Sequence, residues 1–310
     1  MKFVPTERMK YAGAYEGMNF ISHCGQGAIF HLKNKRICDI IILLILNRKG
    51  PPMENKVILI SIDGMRPDGL KNCKNEYLDE LLSKASYTFT ARTVVPSVTL
   101  PCHMSMFHSV TPERHGTTTN TYAPQVRPIK GLFERIAQSD GSCAMYYGWH
   151  PLRDIARPGS LLAAEYINAY SFDHTDGMLT DSAINHIKRA HPDFVFLYMV
   201  ETDEKGGHDA GWMSETYLDY IWHAINNVKR VIKETNGEYT VIVTADHGGH
   251  GRSHGSEMDE DMTIPMIFYG KDFEAGKELF DVSILDIAPT IAKIMGVTPA
   301  VEWEGKSLVN

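Results

Sequence analysis

Continuous apolar runs alternate with segments of helical periodicity along the chain from residue 53 onward. Unbroken apolar runs are typical of strands buried on both faces of a parallel sheet, and they predict strands at 57–62, 194–199, 239–244 and 263–269. Apolar residues spaced three or four positions apart predict helices, at 77–85, 132–138, 181–190, 217–232 and 284–295. Strands alternating with helices predict an α/β fold, a three-layer α/β/α sandwich with a mostly parallel central sheet.

The first 52 residues differ in pattern from the rest of the chain. Their strongly apolar run, 40–46, is far shorter than the about 20 residues that a membrane-spanning helix requires, and no small-residue cleavage site follows it. Met53 stands directly before the first predicted strand, after a Pro-Pro break. We therefore expect residues 1–52 to be an upstream extension, with Met53 as the native start, and 53–310 to form a single domain. An irregular stretch at about 146–180 is expected to be a cap-like insertion near the site.

Charge and cysteine usage narrow the partners and the compartment. The formal net charge of −7 disfavours a nucleic-acid groove or an anionic membrane surface, because no positive charge offsets phosphate repulsion. An anionic substrate must then be held by local cations, and metal ions would supply them. The five cysteines include no C-x-x-C pair, so we expect neither a disulfide framework nor a cysteine zinc site. This usage favours a reducing, cytoplasmic compartment, and the oligomeric state stays open.

Acidic residues follow three of the apolar runs. Asp63 comes after the first run, Asp203 follows the run that ends at residue 199, and Asp246 follows the run that ends at residue 244. In open parallel sheets, ligands bind at the carboxyl ends of the strands, so these acids are expected to lie near one another. Three acids at that edge predict a metal or phosphoryl site, and hence a metallohydrolase.

Two glycine-rich segments add histidines to these acids. Segment 244–255 carries His247, His250 and His254, and its glycines let the backbone bend so that imidazoles converge on a cation. Segment 201–211 carries His208 after its acids. A carboxylate and an imidazole from this loop, with one imidazole from the other, would complete a three-ligand metal site with an open position.

Thr99 is the candidate nucleophile. It lies between Pro96 and Pro101, in a segment whose prolines disfavour a regular helix interior. A threonine hydroxyl is a poor nucleophile unless a nearby cation lowers its pKa, which a two-metal site would do. Cys102, in the same segment, is expected to be a packed side chain rather than a reactive thiol.

Together these segments resemble the type I phosphodiesterase and nucleotide pyrophosphatase family of the alkaline phosphatase superfamily, over about residues 57–270. The residues that carry the resemblance follow the family's order: Asp63; Thr99 and His103; His115, Gly116 and Asn120; Asp203 and His208; Asp246, His247 and Gly248; His254 and Gly255. The resemblance implies an alkaline-phosphatase-like catalytic domain that acts on a small phosphorylated substrate.

The resemblance also implies a centre of two divalent metal ions, with zinc favoured and manganese or iron left open. The ligands of one ion would be Asp203, His208 and His254. Those of the other would be Asp63, Asp246 and His247. The Thr99 oxygen would approach the second ion as the nucleophile, and Asn120 would bind a phosphoryl oxygen. Carboxylates and neutral imidazoles are ligands that suit zinc.

Two departures from the family's pattern affect the details. The family places three residues between the acid and the histidine of the third motif, whereas four separate Asp203 from His208, and Glu204 has the family's spacing. We favour Asp203, because the acidic run around it matches the family and a loop glycine absorbs an insertion. Where the family often has an aromatic residue before Pro-Gly-Ser, this chain has Arg157. Arg157 or Arg252 could bind a second anionic group, so nucleotide specificity is not implied.

The sequence thus predicts a metal-dependent hydrolase of phosphate diesters or nucleotide pyrophosphate bonds that works through a phosphothreonine intermediate. A phosphonate hydrolase of the phosphonoacetate type and a phosphate monoester hydrolase stay open as alternatives. A mutase of the same superfamily would use a serine, for which Ser97 is the local candidate, and the sulfatase motif is missing. From another class, a metal-retaining binding protein without turnover is the alternative, although retention of Thr99 and Asn120 argues against it.

Overall fold

The computed structural model describes residues 53–309. The predicted extension at 1–52 lies outside the described residues, so the placing of the native start at Met53 stays a prediction. In the described part of the chain, no helix is long and apolar enough to cross a membrane.

Seven strands of the described chain form one sheet. They are β1 (Lys56–Ile62), β2 (Ser86–Arg92), β3 (Cys143–Tyr147), β4 (Ala163–Tyr166), β5 (Phe194–Met199), β6 (Tyr239–Thr244) and β7 (Thr263–Tyr269). Their order across the sheet is β2-β7-β6-β1-β5-β3-β4, which places β1 at the centre. β1 pairs in parallel with β5 and β6, and β3 pairs in parallel with β5 and β4. Only β7, antiparallel to β6 and β2, reverses the direction, so the mostly parallel sheet is confirmed.

Helices cover both faces of this sheet. They are α1 (Pro67–Asn72), α2 (Glu76–Lys84), α3 (Thr99–His108), α4 (Pro112–His115), α5 (Leu132–Gln138), α6 (Thr175–Ala190), α7 (Glu215–Thr235), α8 (Asp259–Met262) and α9 (Ile287–Ile294). A π-helix spans Thr202–Ala210, and 3₁₀ turns span His150–Ile155 and Ile284–Asp286. Helices α3, α5 and α9 pack together on one face, and α1, α2, α6 and α7 on the other, which confirms the three-layer α/β/α architecture.

The longest helix, α7, shows why these segments fold as they do. Its apolar residues recur every three or four positions, and Tyr217, Ile221 and Ile225 among them are buried. Ser214 caps its N-terminus by accepting the Tyr217 N–H at 3.2 Å, and Asn236 ends it in the left-handed conformation, at φ 47°. Burying each such apolar side chain stabilises the fold by about 1.5–3 kcal/mol.

The predicted elements agree with the structure at the centre of the sheet and depart from it at the edges. Strands β5, β6 and β7 and helix α5 have the predicted bounds, and β1, α2 and α7 differ by at most three residues. Helix α6 starts at Thr175 rather than at residue 181. Three strands were not predicted, because β2 alternates buried with less buried positions, β3 is short, and β4 is a mostly exposed edge strand.

Two segments predicted to be irregular are helical. Thr99 is the first residue of α3, and Pro101 occupies its third position, where a missing N–H is tolerated because first-turn amides have no partner within the helix. The glycine-rich segment after β5 forms the π-helix rather than a loop. The N-terminus of α3 and one face of the π-helix therefore lie at the carboxyl end of the sheet.

The stretch at 146–180 contributes to the central sheet and to a helix. It contains the end of β3, a 3₁₀ turn, the edge strand β4 and the first turns of α6. Tyr146 is buried and its hydroxyl hydrogen-bonds His186 Nδ1. That the remainder of the stretch caps the site stays a prediction.

Two buried histidines lie in α3 and α4, and the one in α4 joins the two helices. His108 donates its Nδ1–H to the Met104 carbonyl at 2.9 Å. His115 Nε2 lies 3.0 Å from Ser105 Oγ, and its Nδ1 accepts the Thr117 N–H at 3.1 Å. Burial lowers the pKa of both rings to about 4, so both stay neutral in the folded protein at neutral pH.

These histidines are expected to make the fold acid-sensitive. A histidine in the unfolded chain has a pKa of about 6.5, so below that pH the unfolded chain binds protons that these buried rings do not bind in the folded chain. Stability is therefore fully present above pH ~6.5 and is lost as pH falls toward ~4, by on the order of 3 kcal/mol per ring. In urea unfolding, His115→Gln should show a smaller loss between pH 7 and pH 5 than wild type, by about 2 kcal/mol. The exposed His223→Gln should behave as wild type, and equal losses in all three proteins would contradict the assignment.

Candidate active site

The register of the sheet brings the predicted acids together. Ser61 in β1 is level with Thr244 in β6, so Asp63 and Asp246, each two residues further on, emerge side by side. Strand β5 is the neighbour of β1 on the other side, and Asp203 follows it in the first turn of the π-helix. All three carboxylates thus lie at the carboxyl end of the three central strands, as the sequence predicted.

One group of side chains surrounds His247. Its Nε2 atom lies 3.2 Å from Thr99 Oγ1, 3.3 Å from Asp63 Oδ1 and 3.4 Å from Asp246 Oδ2. All four side chains are buried. The structure therefore brings together the residues predicted for one metal ion and for the nucleophile.

A second group surrounds Asp203. Its Oδ2 atom lies 3.4 Å from His208 Nε2, and its Oδ1 atom lies 3.9 Å from His254 Nε2. The His254 ring stacks on His247 with the ring centroids 3.8 Å apart, so the two groups adjoin. Ligand atoms of Asp203, His208 and His254 lie within 4.8 Å of one another, and so do those of Asp63, Asp203 and His247. Asp203 therefore borders both groups.

Hydrogen bonds to backbone carbonyls fix the orientation of the three imidazoles. The Nδ1 atoms pair with carbonyl oxygens as follows: His208 with Arg252 at 3.0 Å, His254 with Ser97 at 2.9 Å, and His247 with Gly248 at 2.8 Å. A carbonyl only accepts, so Nδ1 carries the proton and Nε2 of the neutral ring keeps a lone pair. These lone pairs face carboxylate oxygens, which is how ligands are arranged around a cation.

The charges in this cluster are unbalanced. Burial, then the charges of Asp246 and Asp203, raises the pKa of Asp63 well above its ordinary value. Burial and then Asp246 raise the pKa of Asp203 in the same way. Burial, reinforced by His247, lowers the pKa of His254 to about 3, so this imidazole supplies no positive charge near neutral pH. Acids held this close repel one another unless a cation lies between them.

Three buried carboxylate oxygens in the cluster accept no hydrogen bond. They are Asp63 Oδ1, Asp203 Oδ1 and Asp246 Oδ2. Leaving a buried acceptor without a donor costs about 1–3 kcal/mol, and more for a charged group. The same three atoms face the imidazole Nε2 atoms at the distances given above. A divalent cation satisfies carboxylate oxygen and imidazole nitrogen together, so the residues present fit a metal centre.

Thr99 and Asn120 meet at the N-terminus of α3. The Leu100 N–H donates to Asn120 Oδ1 at 3.0 Å, which holds this exposed side chain over the first turn of the helix. Helix N-termini carry a partial positive charge and favour anionic oxygens. The arrangement can therefore receive a phosphoryl group beside the Thr99 hydroxyl.

The π-helix explains the extra residue in the third motif. Its hydrogen bonds reach five residues along the chain rather than four, so residues five apart, such as Asp203 and His208, lie on the same face. Glu204 instead accepts the Tyr170 hydroxyl at 3.1 Å. The helix type, rather than a flexible glycine, absorbs the extra residue, and this geometry favours Asp203 over Glu204 as a ligand.

Close packing around this helix requires glycine at two positions in particular. A Cβ atom on Gly207 would lie 2.5 Å from the Trp212 ring. Gly64, at φ +66°, would place a Cβ atom 2.8 Å from Asp203 Oδ1. No larger residue fits either position without moving a ligand or its support.

Several supporting residues were not found by the sequence reasoning. Tyr198 donates its hydroxyl to Asp63 Oδ2, and burial followed by the Asp63 charge raises the pKa of Tyr198, so it stays a donor. Trp212 donates its Nε1–H to the Gly64 carbonyl at 3.0 Å and packs against His208 with ring centroids 5.2 Å apart. Tyr198 left one signal, since it is the only polar side chain in the run 194–199.

Some residues singled out in the sequence point elsewhere. His250 Nδ1 pairs with the buried Asp261 Oδ1 at 2.7 Å, outside both groups. The Ser97 hydroxyl donates to the Ser256 carbonyl at 2.7 Å, so it is not placed as a nucleophile. Cys102 is buried, and burial raises the pKa of its thiol, in agreement with a packed side chain.

The two arginines considered for a second anion already have protein partners. Arg157 donates to the Tyr122 hydroxyl at 2.7 Å. Arg252 donates to the Asp209 carbonyl. Neither arginine belongs to the two ligand groups described above.

Comparison with known proteins supports the same fold. Murine ectonucleotide pyrophosphatase/phosphodiesterase 5 in complex with AMP superposes with a TM-score of 0.70 at 14% sequence identity, covering 82% of this chain and 98% of that chain. The likeness shows the fold, which is alkaline-phosphatase-like.

The chain also matches parts of two longer curated proteins. Phosphopentomutase of Alkaliphilus metalliredigens is 29% identical over 126 residues, 40% of this chain and 31% of that protein. The catalytic subunit of human GPI ethanolamine phosphate transferase 2 is 24% identical over 270 residues, 80% of this chain and 27% of that protein. The match therefore spans about a third or less of each of these two relatives.

The model of one protein family, described as type I phosphodiesterase / nucleotide pyrophosphatase, matches residues 57–261. This range contains every residue of the two groups built above, including Thr99 and Asn120. The chain belongs to the type I phosphodiesterase / nucleotide pyrophosphatase family.

Proposed function

We propose that this protein is a metal-dependent phosphoric ester hydrolase that cleaves phosphate diesters through a phosphothreonine intermediate. The observation that carries the proposal is the position of Thr99 Oγ1, buried at the start of α3 and 3.2 Å from His247 Nε2, among unsatisfied carboxylates. A hydroxyl held beside cation ligands and a helix N-terminus is suited to attack a phosphoryl group.

The two ligand groups would hold two divalent metal ions. One group consists of Asp63, Asp246 and His247 together with Thr99. The other consists of Asp203, His208 and His254. Mixed carboxylate and imidazole ligands favour zinc over magnesium or calcium. When bound, such ions would lower the pKa of the Thr99 hydroxyl and neutralise the charge of the phosphoryl oxygens.

The chain's own residues then account for the remaining steps. Thr99 Oγ1 forms a bond to phosphorus and loses its proton to solvent, while the bond from phosphorus to the leaving oxygen breaks and that oxygen takes a proton from solvent to leave as the alcohol. Because Asn120 Oδ1 already accepts the Leu100 N–H, its amide group is the donor left for a non-bridging oxygen. Water then forms a bond to the phosphorus, the bond from phosphorus to Thr99 Oγ1 breaks, and Thr99 regains its proton as the second product leaves.

The relatives support phosphoryl transfer without fixing the substrate. One is named a phosphopentomutase and another an ethanolamine phosphate transferase, and the structural neighbour was solved with AMP. A phosphate monoester hydrolase is the second candidate, because one relative is named a phosphopentomutase. A phosphonate hydrolase would use the same nucleophile and ligands.

Activity is expected to depend on metal and to favour diesters. Prolonged chelation should abolish hydrolysis of bis(nitrophenyl) phosphate, and Zn²⁺ should restore it, because the ligand oxygens have no other partner in the described protein. Rates on bis(nitrophenyl) phosphate, nitrophenyl phosphate and a nitrophenyl phosphonate ester measure the preference. A faster monoester reaction would favour the second candidate, and a faster phosphonate reaction would favour a phosphonate hydrolase. Full activity in a sample shown metal-free by elemental analysis would exclude the metal role.

Metal content is expected to separate Asp203 from its neighbour. Asp203→Asn should lose most of the metal from one group, because Asp203 faces both His208 and His254. Glu204→Gln should keep about two ions per chain by elemental analysis, since its carboxylate faces Tyr170. Loss of metal from the glutamate variant alone would reverse the assignment.

Removal of the Thr99 hydroxyl is expected to stop turnover while keeping the metal. Thr99→Ala should lose at least about a thousandfold in rate, and Thr99→Ser should keep part of it, because the attacking oxygen remains. Acid quenching of wild type during turnover should leave a phosphoryl adduct on the peptide containing Thr99. The control Ser97→Ala keeps the carbonyl that holds His254 and should retain most of the rate. A Thr99→Ala protein with near-normal turnover would mean that water attacks directly and that no phosphothreonine forms.

A further inference from the structure

The rim of the ligand cluster carries a carboxylate and an aromatic ring that the proposed reaction does not use. Glu204 follows Asp203 directly but turns away from the ligand groups, and its Oε2 atom accepts the Tyr170 hydroxyl at 3.1 Å. The Tyr170 side chain is nevertheless 59% exposed. Because Glu204 is adjacent to Asp203 in the π-helix, the hydrogen bond to Glu204 places the Tyr170 hydroxyl at the edge of the ligand cluster.

The Tyr170 ring is held in place by its own turn. The Tyr170 N–H donates to Asn168 Oδ1 at 3.2 Å, and the adjacent Ala169 N–H donates to the Gly148 carbonyl at 3.1 Å. Gly148 approaches the end of β5 so closely that a Cβ atom on it would lie 2.7 Å from Val200. The turn is therefore fixed to Gly148, which packs against Val200, shortly before the π-helix.

A buried pair of acids fixes the next segment to the same helix. The Asp176 carboxylate accepts the Val200 N–H at 2.9 Å and the Glu201 N–H at 3.2 Å. In return, the Glu201 carboxylate accepts the Thr175 N–H at 3.2 Å and the Asp176 N–H at 3.3 Å. Each acid satisfies amides at the start of the other's helix. Tyr170 thus lies between two anchor points, and its ring is positioned before any ligand arrives.

An exposed aromatic face beside a carboxylate is a binding site for an ammonium group. The ring attracts a cation through its quadrupole, and the carboxylate supplies opposite charge. A second anionic group at this rim would be repelled by Glu204 and by the acids behind it. An uncharged ring could stack on Tyr170 but would gain nothing from the Glu204 charge.

We propose that Tyr170 and Glu204 form a subsite for a positively charged, ammonium-bearing substituent of the phosphoester. This proposal rests on the proposed function, since it assumes a phosphoryl group bound beside Thr99. It names the substrate class as phosphoesters of amino alcohols or their quaternary ammonium counterparts.

The first test compares two esters that differ in a single charge. Nitrophenyl phosphorylcholine carries a quaternary nitrogen, and nitrophenyl neohexyl phosphate has carbon in its place. In wild type, kcat/KM should favour the cationic ester by about tenfold. Glu204→Gln and Tyr170→Leu should each bring the ratio toward one, whereas Tyr170→Phe, which keeps the ring, should retain most of it. Because the readout is a ratio within one protein, it is independent of changes in overall rate.

Matched controls come from strand β4. Glu165 and Tyr166 are an exposed acid and an exposed aromatic residue in neighbouring positions on its sequence. Glu165→Gln and Tyr166→Leu should keep the wild-type ratio. A wild-type ratio near one, or a ratio that Glu204→Gln leaves unchanged, would overturn the proposal. In the latter case an uncharged aromatic substituent would be favoured instead.

A binding measurement separates this proposal from the proposed function. Calorimetry on zinc-loaded Thr99→Ala should give about tenfold tighter binding for phosphocholine than for neohexyl phosphate, with no turnover involved. Preferential binding of phosphocholine without hydrolysis of any ester in wild type would support the subsite and refute the hydrolase. Hydrolysis of both esters with equal binding of the two phosphates would support the hydrolase and refute the subsite.

Discussion

The site depends on one electrostatic conflict, the confinement of several carboxylates and imidazole lone pairs around the same buried volume. Asp63, Asp203 and Asp246 each direct an oxygen there that accepts no hydrogen bond. The imidazoles cannot turn away, because backbone carbonyls hold their Nδ1 atoms. The fold therefore maintains an arrangement that is unfavourable alone and favourable around cations. Binding of metal ions would relieve this repulsion and so add to folding stability.

The central sheet maintains this conflict because its backbone is fixed independently of the charges. Register between β1 and β6 places Asp63 beside Asp246 through hydrogen bonds that do not involve either side chain. Tyr198 and Trp212 then support the ligands from neighbouring elements. Asp63 and Asp246 directly follow these fixed strands, which limits how far their carboxylate oxygens can separate.

How much could be read from the sequence depends on the range of the interactions concerned. Unbroken apolar runs identify the buried central strands, and residues that follow parallel strands lie at the same edge of the sheet. Asp63, Asp246 and His247 could therefore be predicted to lie together. Helix type at 202–210 was not foreseen, because a glycine-rich segment gives no local periodicity, and the close approach of Trp212 decides its packing. The pairing of Asp176 with Glu201 joins residues 25 positions apart and leaves no local pattern.

The π-helix also gives two adjacent acids different roles. Asp203 faces His208 and His254, whereas Glu204 faces Tyr170, since successive residues of a helix point in different directions. An i, i+4 arrangement in an ordinary helix would instead pair Glu204 with His208, and the ligand and the rim carboxylate would exchange places. One added residue thus keeps a carboxylate at the rim without removing one from the ligand cluster. In this geometry, the carboxylate proposed to select a charged substituent and the Asp203 carboxylate of the ligand cluster come from a single turn of helix.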